Sequence, residues 1–182
     1  MAEDEVPPAE FSRLVPRHRL GGRDVTLSIS ANDAEREAVA ARFGWLSLGS
    51  LEAEVRLRRK GKGSLVELSG HLRAAVVQAC VVTLEPVREQ VDERFAVLYT
   101  LDGSGPLEES EVVFRHDEEE PPEPVGADGI DVGEAVVQQL SVAVEPFPRA
   151  AGAQLEREGW GESEGGEARS PFAVLERLKR DS

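Results

Sequence analysis

The sequence is poor in the residues that most chemistry uses: in 182 residues it has one cysteine, three histidines, one methionine and 5% aromatics. Cys80 alone cannot form an internal disulfide and cannot supply a structural zinc site, which takes four ligands, so it is expected as a small buried residue. His18, His71 and His116 are far apart, and no His-Glu-x-x-His or Cys-x-x-Cys spacing exists. No metal and no cofactor is expected. Gly21-Gly22 and Gly159-Trp160-Gly161 lack the Lys-Ser or Lys-Thr of a phosphate-binding loop, and Ser64 and Ser69 lie in strand-like sequence without a nucleophile elbow. Catalytic residues are therefore expected to be absent. Scarce aromatics speak against a stacking platform for single strands. No apolar run approaches the roughly 20 residues of a membrane span. The opening Met1-Ala2-Glu3-Asp4-Glu5 is unlike a basic-then-apolar leader, so the expected location is the cytoplasm, away from membranes.

What the chain does have is charge, unevenly distributed. The formal net charge is −14, yet Glu108 to Glu134 alone holds eleven acids against Arg115. Two basic blocks survive: Arg13, Arg17, Arg19 and Arg23 with His18, and Arg56, Arg58, Arg59, Lys60 and Lys62, neither interrupted by an acid between Phe11 and Arg23 or between Arg56 and Gly63. Two readings are open. The blocks keep strand faces and a hairpin tip soluble, or they meet on one face and contact phosphates without reading sequence. On the second reading the contact residues are Arg17, Arg19, Arg56, Arg58, Lys60 and Lys62. Glu118, Glu119 and Glu120 would engage a basic partner, and DNA is not expected with so acidic a chain.

Hydrophobic period organises the chain as one α+β domain, a twisted antiparallel meander with flanking helices and a C-terminal helix. Residues 1–10 read as a disordered tail and 11–115 as the sheet with one inserted helix. Residues 116–129 read as a loose acidic loop and 130–182 as a helical part of the same domain. Phe11 to Leu20 is expected as an irregular arm. Val25, Leu27 and Ile29 alternate inward. Asn32 and Glu35 form a capping box for a helix with Ala34, Ala38 and Ala41 along one side and Gly44 at its C-cap. Leu51, Ala53, Val55 and Leu57 alternate up to the turn Lys60-Gly61-Lys62-Gly63. The return strand runs from Ser64 to about Val77, with a bulge or bend expected at Gly70. A third strand carries Val87, Val91, Phe95, Val97, Tyr99 and Leu101 on one parity, interrupted by Glu89 and Glu93, and Glu111 to Arg115 is a short edge candidate. Gly152 to Arg169 reads as a linker in which Trp160 docks. Ser170, Pro171, Phe172, Leu175 and Leu178 outline a closing amphipathic helix.

The most telling stretch is Ile130 to Arg149. Asp131 and Glu134 are spaced as a capping box, Val132, Val136, Leu140 and Ala143 form one stripe, and Pro146 and Pro148 stop the helix. Gln139 lies on that stripe. It is either a core amide satisfied by neighbouring backbone or a partner-facing group.

Together, Phe11-Ser12-Arg13, Glu35-Arg36, Ala40 to Gly44, Leu51-Glu52-Ala53, Gly70 to Ala74, Gln78 to Pro86, Ile130 to Arg149 and Ser170 to Ala173 resemble the YceD family, named for accumulation of large ribosomal subunit RNA, in its alphaproteobacterial form. The most specific pieces are the turn from Cys80 to Pro86, Asp131-Val132-Gly133-Glu134, and Ser170-Pro171-Phe172. Many relatives carry paired cysteines in that turn and further ones after the Pro-x-Pro, which suggests a metal cluster. Here only Cys80 remains, Val81 and Val82 stand where the second cysteine and its neighbour would fall, and no cysteine follows Pro148. The resemblance implies a non-catalytic factor supporting 23S rRNA synthesis, processing or stability in large-subunit assembly. Its implied partner is rRNA or a pre-ribosomal particle, and the segregated charge adds a basic ribosomal protein or another factor as the expected partner of the acidic loop. The other class of reading is an acidic adaptor that binds only protein.

Overall fold

Apolar residues alternating at period two over thirteen to fifteen positions build three long strands, and the breaks in that period place everything else. The computed structural model describes residues 9–61, 63–102 and 121–154. The elements are β1 (Leu14–Pro16), a 3-10 turn (Arg17–Arg19), β2 (Val25–Ser30), α1 (Asp33–Phe43), β3 (Ser47–Arg59), β4 (Leu65–Ala79), β5 (Pro86–Thr100), β6 (Glu123–Pro124), β7 (Gly129–Asp131) and α2 (Val132–Ala143). All belong to one compact unit, Met1–Ala151. A second unit, Gly152–Ser182, begins inside the span read as a helical part of the same domain. Trp160 and the Ser170 to Leu178 segment lie outside the described residues, as do Glu111 to Arg115.

The main sheet has the order β2-β3-β4-β5-β6. β2 to β5 form the expected antiparallel meander, but the sheet is mixed, because β6 joins β5 in parallel through Tyr99↔Glu123 and Thr100↔Pro124. The bulge is not at Gly70, where the ladder runs unbroken through Val55↔Gly70 and Gly70↔Phe95. A Cβ at Gly70 would lie 2.5 Å from the Phe95 ring, so the glycine makes room for an aromatic packed across the strand. The register slips instead between Leu48 and Ser50, at Gly49.

Leu51, Val55, Leu68, Leu72 and Val76 line the inner face and are almost completely buried. α1 packs on β3, and α2 on β4, β5 and β1. The capping box at Asn32 and Glu35 is formed, and Gly44 takes the left-handed cap with φ 68°. The buried residues of α1 are Val39 and Ala40, not the row of Ala34, Ala38 and Ala41, of which Ala34 and Ala41 are exposed. The larger Val39 offers more apolar area and takes the core position. In α2, Val132, Val136 and Leu140 are buried as the period requires. Val137 joins them because the helix has packing on more than one side, and Gln139 is left half-buried with no satisfaction problem.

Two segments expected to be irregular are anchored. The arm forms β1, whose Leu14, Val15 and Pro16 pair with Asp131, Ile130 and Gly129 of β7, and it buries Phe11, Val15 and Leu20. Burial of each such side chain stabilises by about 1.5–3 kcal/mol. Residues 121–129, read as part of a loose acidic loop, include β6, the buried Val125 and the start of β7. Among the described residues, no helix is long and apolar enough to cross a membrane.

Candidate functional site

Asp131 is the hinge on which the arm and α2 meet. As N-cap it accepts from the amides of Gly133 (3.0 Å) and Glu134 (3.2 Å), and it also accepts from the Arg13 amide (2.7 Å) and the Ser12 hydroxyl (2.5 Å). One carboxylate thus satisfies two free helix amides and two groups of the arm. The close approach requires a glycine at position 133, where a Cβ would lie 2.3 Å from the Phe11 carbonyl. Glu134 does not reach back to complete the expected capping box. It pairs with Arg42 at 2.9 Å, because the arm already occupies the space in front of Asp131.

The first basic block is built into this structure. The Arg13 guanidinium pairs with Glu35 (2.8 Å), donates to the Ser30 carbonyl and lies over the Phe11 ring. That contact holds the Glu35 carboxyl below the usual carboxylate range. Arg42 bridges Glu134 and Glu10, so Glu10 of the expected tail is tied to α1. Arg17, which the sequence suggests as a phosphate contact, instead donates to the carbonyls of Leu101, Val125 and Gly126, clasping the end of β5 to the segment after β6. Its donors are used internally. Arg19 is exposed on the 3-10 turn.

Of the second block, Arg56, Arg58 and Lys60 lie on the outer, polar face of the sheet, whereas Arg59 has the opposite parity, across from Val66, and donates to the Gly63 and Gly21 carbonyls. Arg56 pairs with Asp24 (2.5 Å), and Arg58 (3.2 Å) and Lys60 (2.5 Å) both pair with Glu67 across the hairpin. Lys60 and then Arg58 hold the Glu67 carboxyl below its ordinary value. All three cations are exposed, where such pairs contribute about 0–1 kcal/mol and exchange readily for another anion. Lys62, Glu118, Glu119 and Glu120 lie outside the described residues.

Sequence blocks missed three more cations of this face: Arg73, Arg88 and Arg94, each exposed and without an ion pair among the described residues. They are isolated in sequence; the register sets Arg73 and Arg94 diagonally across β4 and β5, with Arg73 opposite Asp92 and Arg94 opposite His71, and Arg88 lies farther along the same face, opposite Val77. Strand parity carried the signal, since all three alternate with inward-facing positions. His71 and Asp92 share a 2.6 Å hydrogen bond on the same face, which holds the Asp92 carboxyl below its ordinary value.

The turn after β4 is the other distinctive feature. Cys80 is fully buried, but it is more than a small apolar residue. Its sulfur accepts from the amides of Ala150 (3.3 Å), Val82 and Thr83 (both 3.4 Å). These donors, Ala150 first, bring the thiol down to about 6. The Val81 amide donates to the Pro148 carbonyl (2.9 Å), so the turn and the segment after α2 are stitched together. Pro148 is buried, Pro146 and Pro86 are exposed, and α2 ends before both of the later prolines. Leu84 sits at φ 62°, the one non-glycine residue at positive φ among the described residues, and is 75% exposed. The metal site suggested for relatives does not fit this turn: it offers a single sulfur already holding three amides, and the Thr83 hydroxyl is used by Glu85.

A shallow groove of about 530 Å³ lies between α1 and the start of β3, lined by Arg36, Ala40, Trp45, Leu46 and Leu48.

No curated protein matches the chain, and no solved structure matches it. A family model, described as large ribosomal RNA subunit accumulation protein YceD, matches residues 68–179, well over half of the chain. The match takes in most of β4, all of β5, the Cys80 turn, the Asp131 hinge and α2. It spans the motifs from Gly70 to Ala173, and the chain belongs to the YceD family, that of the large ribosomal RNA subunit accumulation protein.

Proposed function

We propose that this protein is a non-catalytic, cytoplasmic factor that supports the synthesis, processing or stability of 23S rRNA during large-subunit assembly. The observation that carries the reading is the family match over 68–179, which includes most of β4, all of β5, the Cys80 turn, Asp131 and α2. Its physical action is binding. On the outer face, Arg56, Arg58 and Lys60, with Lys62 in the same hairpin, and Arg73, Arg88 and Arg94 supply phosphate contacts that position without reading sequence. The weak hairpin pairs with Asp24 and Glu67 are the ones a phosphate displaces. Arg19 extends this set; Arg17 does not, since its donors hold Leu101, Val125 and Gly126.

Depletion of the protein is expected to lower the ratio of large-subunit to small-subunit rRNA and to deplete large subunits in a sucrose gradient, with both restored by rescue. An unchanged ratio and profile would remove the ribosomal role.

The second reading is an adaptor that affects rRNA only through a bound basic protein. The acid-rich window from Glu108 to Glu134 favours it, with Glu118, Glu119 and Glu120 as contacts and the half-buried Gln139 as a further candidate. Binding to structured rRNA fragments at two salt concentrations separates the readings. Salt-sensitive binding supports direct contact, and none supports the adaptor.

A further inference from the structure

β5 is paired along its whole length on one side only. The Leu101 amide donates to the Ser64 carbonyl (2.9 Å), continuing the β4–β5 ladder, so the odd-numbered residues of β5 direct their backbone groups at β4. The Thr100 carbonyl accepts from the Val125 amide on the far side (3.0 Å), which sets the even-numbered residues outward. β6 takes up that side only at Tyr99 and Thr100. The N–H and C=O groups of Arg88, Gln90, Asp92, Arg94 and Ala96 therefore face an edge with no backbone partner among the described residues, and all five residues are exposed.

A row of unpaired amides and carbonyls is a template for one more strand. The side chains bordering it on the α2 side are acidic. Glu89 and Glu93 occupy inner-face positions, opposite Val76 and Leu72, where apolar side chains would otherwise continue the core. The Glu145 amide donates to the Glu89 carboxylate (3.2 Å), which brings a third acid to the same rim. None of the three has an ion pair among the described residues. The outer side of the edge carries Arg88 and Arg94 with Asp92 between them. An added strand thus meets a row of unpaired acids on one face only, and it suits a segment with basic side chains at alternate positions.

We infer that the free edge of β5 is a docking site for an extended basic segment of a partner protein, which adds to the sheet as a strand and sets its lysines or arginines against Glu89 and Glu93. The site is separate from the hairpin cations. Its test is a property of the edge alone, so a failure here leaves the rRNA role standing, and a failure of the depletion experiment leaves this site standing.

The probe is a short synthetic peptide alternating lysine with threonine, compared with one alternating glutamate with threonine, each added to the full chain. The amides of Gln90, Asp92, Arg94 and Ala96 are expected to exchange rapidly with solvent in the free protein and to become protected when the lysine peptide is added, and not with the glutamate peptide. Gln90→Pro removes one edge-facing donor and no β4–β5 bond, a position where strands tolerate proline, and is expected to weaken binding about tenfold. Glu93→Lys leaves the backbone intact and is expected to weaken it about threefold. Edge amides already protected in the free chain, absence of binding by the lysine peptide, equal binding of both peptides, or unchanged binding by the Glu93→Lys protein would each overturn the proposal.

Discussion

Two basic stretches with no acid between their bounds, Arg13 to Arg23 and Arg56 to Lys62, meet different fates in this fold. In the first, Arg13 and Arg17 are drawn inward. Apart from the adjacent Ser12 carbonyl, their partners lie 17 to 109 residues away, and their donors satisfy the Glu35 carboxylate and chain carbonyls beside buried residues such as Phe11 and Val15. In the second, Arg56, Arg58 and Lys60 stand on the exposed face of a two-sided sheet and hold single acids across neighbouring strands, while Arg59 donates to the Gly63 and Gly21 carbonyls. The difference shows that a cluster of cations in sequence says nothing of its role until the partners' burial is known. An arginine that saturates carbonyls is structural, whereas one in an exposed ion pair can change partners.

The comparison breaks most visibly at its buried end. Asp131→Ala removes the acceptor for four donors at once and is expected to destabilise the fold by about 2–3 kcal/mol. Urea unfolding would show the loss, and a midpoint equal to that of the parent would refute the hinge. Arg17→Ala follows at about 2 kcal/mol, because three carbonyls lose a charged donor. The matched change Arg58→Ala is expected to move stability by less than about 0.5 kcal/mol. Similar losses for the two arginines in thermal unfolding would erase the distinction drawn between the blocks.

Binding should show the reverse order. Neutralising Arg56, Arg58 and Lys60 together is expected to weaken association with an rRNA fragment and to reduce the steepness of its salt dependence by about 1 for each phosphate no longer neutralised. Filter binding over a salt series measures this. Arg13 and Arg17 changes that leave the protein folded should leave the slope alone.

Cys80 gives a pH-dependent effect with a definite sign. Its folded-state value of about 6 lies below the ordinary 9, so across that window the unfolded chain binds the proton more tightly. Stability from the thiolate is then fully present above 9, declines as pH falls, and is gone below 6. Urea midpoints should rise with pH through this range in the parent, and that component should vanish in Cys80→Ala. Identical pH profiles for the two proteins would mean that the three amides do not favour the charged sulfur.

The sequence revealed elements whose determinants are local. The Asn32 and Glu35 capping box, the Gly44 cap, the stop before Pro146 and the parity of Leu51 to Leu57 need only neighbours within a turn or along a strand, and each is present. Long-range competition was not legible. Glu134 has the spacing to cap its own helix, but Arg42 claims it from 92 residues away. Gly70 has the look of a bend, but Phe95 on another strand sets its size. Arg73 and Arg94 are not neighbours until the register aligns β4 with β5. The Cys80 turn was recognisable as a motif, while its chemistry came from the Ala150 amide, 70 residues on. Candidate site residues depend on such pairings more than fold elements do, which is why the meander was easier to read than its functional face.

The most direct test of the account is rescue of depleted cells with the protein carrying Arg56, Arg58 and Lys60 all changed to alanine, at matched expression, read as the ratio of 23S to 16S rRNA. The account predicts that the parent protein restores the ratio and the folded triple variant does not. Full rescue by the triple variant would contradict it and place the function away from the hairpin face.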